Sequence, residues 1–186
     1  MKLCALSTPR LALEPCARRH ADELFPAINN FEVVRWLTGA EWPQERARFE
    51  EWTSLAAELN DGEEVAVAAI LLEGRAVGIV AINWLRGARN LGYWLAQPAW
   101  GRGLMSEAVE GMLAWFFAHH EDLFILSGAV EGNAASLRIL DKLGFVTIGE
   151  TMTPSLAHGC LVGHIDMVLG REAWRRRANA SPMLRR

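Results

Sequence analysis

Two long apolar runs separated by a three-residue turn place the strongest constraint on the fold of this chain. Residues 64–72 form a nearly continuous apolar run, and residues 76–84 form another. Such runs are typical of strands buried on both faces, and the short turn at residues 73–75 predicts an antiparallel pair. A second turn, at residues 86–90, leads into a strand at residues 91–96. The middle of the chain is therefore predicted to be a meander of three strands.

A helical segment is predicted before this meander. In its longest helix, Pro43 suits the first turn because its missing N–H is not needed there. One apolar stripe follows, formed by Phe49, Trp52, Leu55, Ala56 and Leu59, and we expect Trp52 to belong to the core. The predicted elements are a strand at residues 11–13, helices at residues 18–28 and 43–59, and a short helix or turn at residues 31–37.

Strands and helices alternate after the meander. Asn133 suits the N-cap of one helix, and Gly144 stands just past its end. The predicted elements are helices at residues 104–119 and 133–143 and strands at residues 123–130, 145–149 and 164–169. This order predicts an α+β fold, with a mixed, mainly antiparallel central sheet flanked by helices.

Composition narrows the class of protein. A chain of 186 residues is expected to form a single domain over residues 1–186, with a core at about 8–174 and a basic C-terminal tail at 175–186. The formal net charge of −3 argues against nucleic acid as a partner, since broad binding needs a basic surface. The three cysteines have no short spacing, which predicts neither disulfides nor a metal site. Without a long apolar run, we expect a cytoplasmic protein with no membrane partner.

A glycine-rich turn at Gly101 and Gly103 joins the third meander strand to the helix that begins near Leu104. The first N–H groups of a helix have no partners within it, so together with the helix dipole they form an anion site. A P-loop is excluded because no lysine follows Gly103, and a dinucleotide fingerprint would need glycine at Ser106. On spacing alone, an ordinary strand–helix turn is the alternative.

Four motifs in order resemble the GCN5-related N-acetyltransferases (GNAT), and most closely the RimJ/RimL-like ribosomal-protein N-acetyltransferase branch. They are Leu91-Gly92-Tyr93-Trp94-Leu95, the segment 100–108, Asn133-Ala134-Ala135-Ser136, and Lys142-Leu143-Gly144-Phe145. The resemblance covers roughly residues 8–174. It implies acetyl-CoA as co-substrate and a splayed strand pair whose free backbone groups bind the pantetheine arm.

The resemblance also implies which residues contact acetyl-CoA. Trp94 and Leu95 would line the pantetheine arm, the glycine-rich turn would hold the pyrophosphate, and Asn133 and Ser136 would lie near the thiol end. The implied set is Trp94, Leu95, Gly101, Arg102, Gly103, Leu104, Met105, Ser106, Asn133 and Ser136.

The catalytic groups depart from the family pattern. Many members carry a tyrosine where this chain has Leu140. In the RimJ/RimL-like branch a serine at the position of Ser136 is a proposed general acid, so the resemblance implies that role for Ser136; the alternative is that it only caps its helix. Relatives in the branch carry carboxylates where this chain has Leu91 and Gly163. His164 is the predicted replacement base, with His158 and a chain of water molecules as alternatives. No metal is required by such a reaction.

The acceptor is expected to be a primary amine, either a protein N-terminus or a small molecule. Asn83, Trp84 and Trp36 are the predicted acceptor-side residues, because the first two end a central strand and aromatic side chains line ligand pockets. The alternative function is a catalytically weak domain that senses CoA with the same fold. Exposed edges of an antiparallel sheet also allow a homodimer.

Overall fold

The computed structural model describes residues 2–60, 62, 65–85 and 87–180, with side chains up to residue 177. Within these residues, eight strands form one sheet in the order β1-β2-β3-β4-β5-β6-β8-β7. The strands are β1 (Leu6–Ser7), β2 (Leu11–Pro15), β3 (Ala66–Leu72), β4 (Arg75–Leu85), β5 (Ala88–Leu95), β6 (Phe124–Val130), β7 (Val146–Ser155) and β8 (Cys160–Gly170). Only the β5–β6 contact is parallel, so the predicted mixed, mainly antiparallel sheet is confirmed.

Helices cover both faces of this sheet. They are α1 (Ala21–Ile28), α2 (Phe31–Val34), α3 (Arg46–Leu59), α4 (Leu104–His119), α5 (Ala134–Leu143) and α6 (Arg171–Ala180). On β3, Ala68 and Ile70 pack in the cluster that contains α4, whereas Val67 and Ala69 pack in the cluster that contains α1 and α3. Burial on both faces explains why this strand reads as a continuous apolar run.

The sheet opens between β5 and β6. Asn90 and Leu126 are the one register pair that joins the two strands in the described part of the chain. Ser127 Oγ adds a hydrogen bond to the Leu91 carbonyl oxygen at 2.9 Å. Beyond this point the strands diverge, which confirms the predicted splayed pair.

Helix α3 differs from its prediction in start and in orientation. It begins at Arg46, with Glu45 at the N-cap, so Pro43 precedes the helix instead of occupying its first turn. The buried face consists of Phe49, Thr53 and Ala56, while Trp52, Leu55 and Leu59 are 39%, 50% and 42% exposed. The predicted stripe was wrong because the helix is rotated so that Thr53, hydrogen-bonded to the Glu50 carbonyl, faces the core.

Three further segments differ from their predictions. Residues 88–90, predicted as a turn, begin β5, since Leu85 pairs with Ala88 across a tight hairpin. Strands β7 and β8 are longer than predicted and form one hairpin. Arg175–Arg177, predicted as part of a solvated tail, lie in α6, where Arg177 Nη2 is 3.0 Å from Glu110 Oε1; residues 181–186 lie outside the described residues. No helix in the described ranges is long and apolar enough to span a bilayer.

Candidate active site

The gap between β5 and β6 opens into a cavity of about 1330 Å³. One end is formed by the residues 99–106 turn and the start of α5. The other end is formed by the segment from α2 to α3, by the end of β4 and by the β7–β8 hairpin. We call these the donor end and the acceptor end.

The glycine-rich turn forms the wall of the donor end. Gly101 and Gly103 have φ angles of +73° and +75°, a left-handed conformation that favours glycine. The first α-helical bond of α4 runs from the Glu107 N–H to the Gly103 carbonyl oxygen at 3.2 Å. The N–H groups of residues 104–106 therefore precede the helical ladder, and these residues line the cavity. Arg102 is exposed and lies outside the lining.

Glu107 connects this turn to the N-terminal segment. Its carboxylate accepts hydrogen bonds from Thr8 Oγ1 at 2.5 Å and from the Arg10 N–H and Nε at 2.7 Å each. Arg10 Nη1 in turn donates to the Arg102 carbonyl oxygen at 2.9 Å. Burial opposes ionisation of Glu107, but the bonds from Thr8 and Arg10 outweigh it and lower the pKa of this carboxyl.

Replacing Glu107 with glutamine is expected to lower the free energy of unfolding at pH 7 by about 2 kcal/mol, because charge-assisted hydrogen bonds are lost. A carboxyl with a lowered pKa in the folded state stabilises the protein above its unfolded pKa and loses this effect as the pH falls. The difference between wild type and Glu107→Gln should therefore shrink in acid. Urea unfolding at pH 7 and at pH 3.5 measures it, and an equal difference at both pH values would contradict this role.

Strand β5 directs backbone groups into the cleft. The carbonyl oxygen of Leu91 accepts from Ser127, and that of Leu95 accepts from Trp100 Nε1 at 2.7 Å. Because backbone groups alternate in direction along a strand, those of Tyr93, between these two residues, point to the same side. Trp94 and Leu95 both line the cavity.

Ser136 and Tyr93 meet at the start of α5. Asn133 caps this helix, since its Oδ1 accepts from the Ser136 N–H at 3.1 Å. The Ser136 hydroxyl is therefore not the cap, and it lies 2.8 Å from the Tyr93 hydroxyl. Burial raises the pKa of Tyr93 to about 12, so the phenol stays protonated. Tyr93 was not among the predicted site residues, because its position on a strand concealed its proximity to a helix distant in sequence.

The acceptor end holds a histidine–aspartate pair. His164 Nδ1 is 2.9 Å from Asp166 Oδ1, and both side chains line the cavity. His158 lies outside the lining, where its Nδ1 is 3.0 Å from Ser155 Oγ. Of the two predicted histidines, the structure brings only His164 to the cavity.

The predicted acceptor residues separate into two groups. Trp36 and Asn83 line the cavity, and so does Trp52, which had been expected in the core. Trp84 is 53% exposed, and the Arg89 guanidinium lies 5.2 Å from its ring centroid. Because side chains alternate along a strand, the residue after Asn83 faces away from the cavity, and the structure does not support an acceptor role for Trp84.

Comparison with known proteins yields consistent matches. A family model described as "Acetyltransferase (GNAT) domain" matches residues 10–146. "Putative ribosomal N-acetyltransferase YdaF" of Bacillus subtilis (strain 168) is 26% identical over 166 residues, covering 84% of this chain and 85% of that protein. The ribosomal-protein-S5-alanine acetyltransferase from Vibrio fischeri has a TM-score of 0.79 at 19% identity, over 92% of this chain and 99% of that one. The microcin C7 self-immunity acetyltransferase MccE, in complex with acetyl-CoA and AMP, has a TM-score of 0.75 at 16% identity, over 87% and 93%.

Proposed function

The chain belongs to the GNAT acetyltransferase family, and on that premise we propose that it transfers the acetyl group of acetyl-CoA to a primary amine. The observation that carries this proposal is one cavity that joins three features. These are the unpaired N–H groups at the start of α4, the splayed strands β5 and β6, and the Ser136 hydroxyl.

The donor end fits CoA by its chemistry. The N–H groups of residues 104–106 and the positive end of the α4 dipole suit a pyrophosphate. Arg138 and Lys142 on α5 add positive charge to the same wall. The backbone groups of Tyr93 offer a donor and an acceptor to an extended amide-containing chain in the cleft. Bound there, acetyl-CoA supplies an activated acyl group as substrate.

Four groups of the protein would assist the transfer. The Tyr93 N–H is directed into the cleft and would donate to the oxyanion as the amine attacks. The Ser136 hydroxyl would protonate the departing thiolate when the carbon–sulfur bond breaks. Because the Tyr93 phenol keeps its proton, it can donate to Ser136 Oγ and leave the serine proton for the thiolate. His164 would accept the proton that the amine loses.

Different observations support each of the two acceptor classes. The names of the Bacillus and Vibrio relatives refer to ribosomal proteins, which supports a protein N-terminus. The AMP in the MccE complex supports the alternative, a small molecule. Trp36 and Trp52 at the acceptor end suit an apolar group beside the amine. The homodimer and the cytoplasmic location stay predictions.

Acetyl-CoA is expected to raise the melting temperature. A ligand at about 100 times its Kd stabilises the native state by roughly 2.7 kcal/mol if it binds only that state. For a domain of this size this corresponds to roughly 5–10 °C. Thermal unfolding with acetyl-CoA, with CoA and with AMP as a control measures the shift. If neither acetyl-CoA nor CoA changed the melting temperature, the result would contradict the proposed donor site.

Turnover separates an enzyme from a domain that only senses CoA. Acetyl-CoA is mixed with the protein and a panel of N-terminal peptides and small amines, and release of the free thiol is followed. Thiol release that depends on one class of amine supports the proposed function and identifies the acceptor class. A melting shift without thiol release on any amine would instead favour the sensing domain.

A further inference from the structure

His164 and Asp166 occupy alternate positions on β8, so their side chains share one face of the strand. The Nδ1–Oδ1 distance of 2.9 Å assigns Nδ1 of His164 to the carboxylate. This leaves Nε2 as the ring nitrogen available to a partner in the cavity. The two side chains are 21% and 27% exposed, so the pair is largely shielded from solvent.

Gly128 on β6 provides the space for this imidazole. It is the register partner of Asp166, and His164 pairs with Val130 two residues further along the same strand. A Cβ at position 128 would overlap Cε1 of His164 and the carbonyl oxygen of Ile165. The ring therefore lies directly over the Gly128 backbone, and any larger residue there would displace it.

The His164 ring lies close to the point where β5 and β6 separate. Gly128 follows, by two residues, Leu126, which forms the last pair with β5 before the strands diverge. The ring thus lies beside the apex of the cleft, in the wall of the cavity. In the described cavity wall, His164 is the one histidine.

We propose that Asp166 is a positioning residue that holds His164, over Gly128, with Nε2 unprotonated and directed at the acceptor amine. This inference rests on the proposed acetyl transfer and adds to it how the base is oriented. It also explains how the chain could work without the carboxylates that relatives carry at the positions of Leu91 and Gly163. The space that a side chain at position 163 would need is occupied by the Glu131 side chain.

The proton transfer balances without any further reactant. One N–H bond of the acceptor ammonium breaks, Nε2–H forms, and the lone pair stays on the amine nitrogen. The resulting imidazolium carries its charge beside the Asp166 carboxylate, which stabilises it. The proton then passes to solvent, which restores the neutral ring.

Among the described charged groups near the His164 ring, Asp166 is the one in direct ionic contact with it. Within the described residues, the register partners of His164 are Val130 on β6 and Thr151 on β7, neither of which titrates. Glu131 lies against Gly163, the residue that precedes His164. The other charged groups of the cavity wall are Glu41, Glu45 and Arg48 at the acceptor end and Arg138 and Lys142 on α5.

Asp166→Asn provides the test. The amide can donate to Nδ1 and so favour the wrong tautomer, with the proton on Nε2. We expect kcat at neutral pH to fall at least tenfold, with the KM for acetyl-CoA unchanged. Asp166→Glu, which keeps the carboxylate, should recover part of the rate.

The ring tautomer gives a readout that does not depend on activity. In ¹⁵N spectra of the protein alone, His164 should carry its proton on Nδ1 in the wild type, and this population should fall in Asp166→Asn. Glu150→Gln is the matched control, since it removes one carboxylate from an exposed position of the same hairpin and should leave the tautomer and the rate unchanged.

Different results would overturn the positioning role of Asp166 and the proposed acetyl transfer. An unchanged His164 tautomer in Asp166→Asn would overturn the positioning role. Absence of thiol release by the wild type on any amine would overturn the proposed function instead. Gly128→Ala is a second variant, expected to lower kcat without altering the KM for acetyl-CoA. Full activity with a folded protein would contradict the position of the His164 ring over Gly128.

Discussion

Replacing Gly103 with aspartate is expected to weaken CoA binding by about a hundredfold or more while leaving the fold intact. The residue is the N-cap of α4, and the three N–H groups that follow it line the donor end of the cavity. A carboxylate here would face the pyrophosphate, and like charges about 4 Å apart repel by roughly 4 kcal/mol at an effective dielectric constant of 20. The fold should tolerate the change, because the nearest atom to the new Cβ is Arg10 Nη2 at 3.6 Å, an ordinary van der Waals contact.

Gly103→Asn is the matched control for this variant. Asparagine has nearly the same shape as aspartate and accepts the φ of +75° comparably well, but it carries no charge. We expect it to retain most of the affinity. Calorimetric titration with CoA measures both variants. Wild-type affinity in both variants would contradict a pyrophosphate site at this turn, whereas an equal loss in both would indicate a steric effect.

The local structure around the donor end could be predicted from the sequence, because it depends on short-range rules. Apolar runs with short turns define the meander, and the glycines of residues 101–103 mark a turn that needs left-handed backbone. Asn133 and Gly144 bound α5 as predicted, since caps depend on a few neighbouring residues. These features could be read from segments of ten residues or fewer.

The acceptor end could not be predicted in the same way because it depends on tertiary packing. Trp52 was predicted in the core, but the buried face of α3 contains Thr53 instead. Hydrophobicity alone does not determine which face of a short helix meets the sheet. The contact of Tyr93 with Ser136 joins a strand to a helix 43 residues later. The His164–Asp166 spacing was visible in the sequence, but the space over Gly128 depends on the register of two strands.

The donor and acceptor ends also differ in what carries their chemistry. In the proposed function, CoA would be held at the donor end mainly by backbone N–H groups, so many side chains could be exchanged without loss of the site. The acceptor would instead be contacted by side chains that line the cavity, among them His164, Asp166, Trp36 and Trp52. Two of the three departures from the family pattern, at Leu91 and Gly163, concern the proposed base, which supports a shared donor and a distinct amine.

Replacing Ser136 with alanine is expected to lower kcat by about a hundredfold or more, the effect of a lost general acid. Binding of CoA should stay near normal, because Asn133 caps α5 through the backbone N–H of residue 136. The helix should also remain folded, since the Tyr93 hydroxyl can still donate a hydrogen bond to the carbonyl oxygen of residue 136, which lies 3.4 Å away. Steady-state turnover and calorimetric titration with CoA, measured on the same preparation, separate the two effects.

Tyr93→Phe completes this experiment, because it removes the phenol that orients Ser136 and leaves the serine in place. A smaller loss in kcat is expected, since the serine proton remains available but is less well directed. In the double variant, the loss should equal that of Ser136→Ala alone, because the phenol acts only through the serine. Additive losses would instead assign an independent role to Tyr93. Full activity of Ser136→Ala would show that the hydroxyl contributes to packing only and that the thiolate takes its proton from elsewhere.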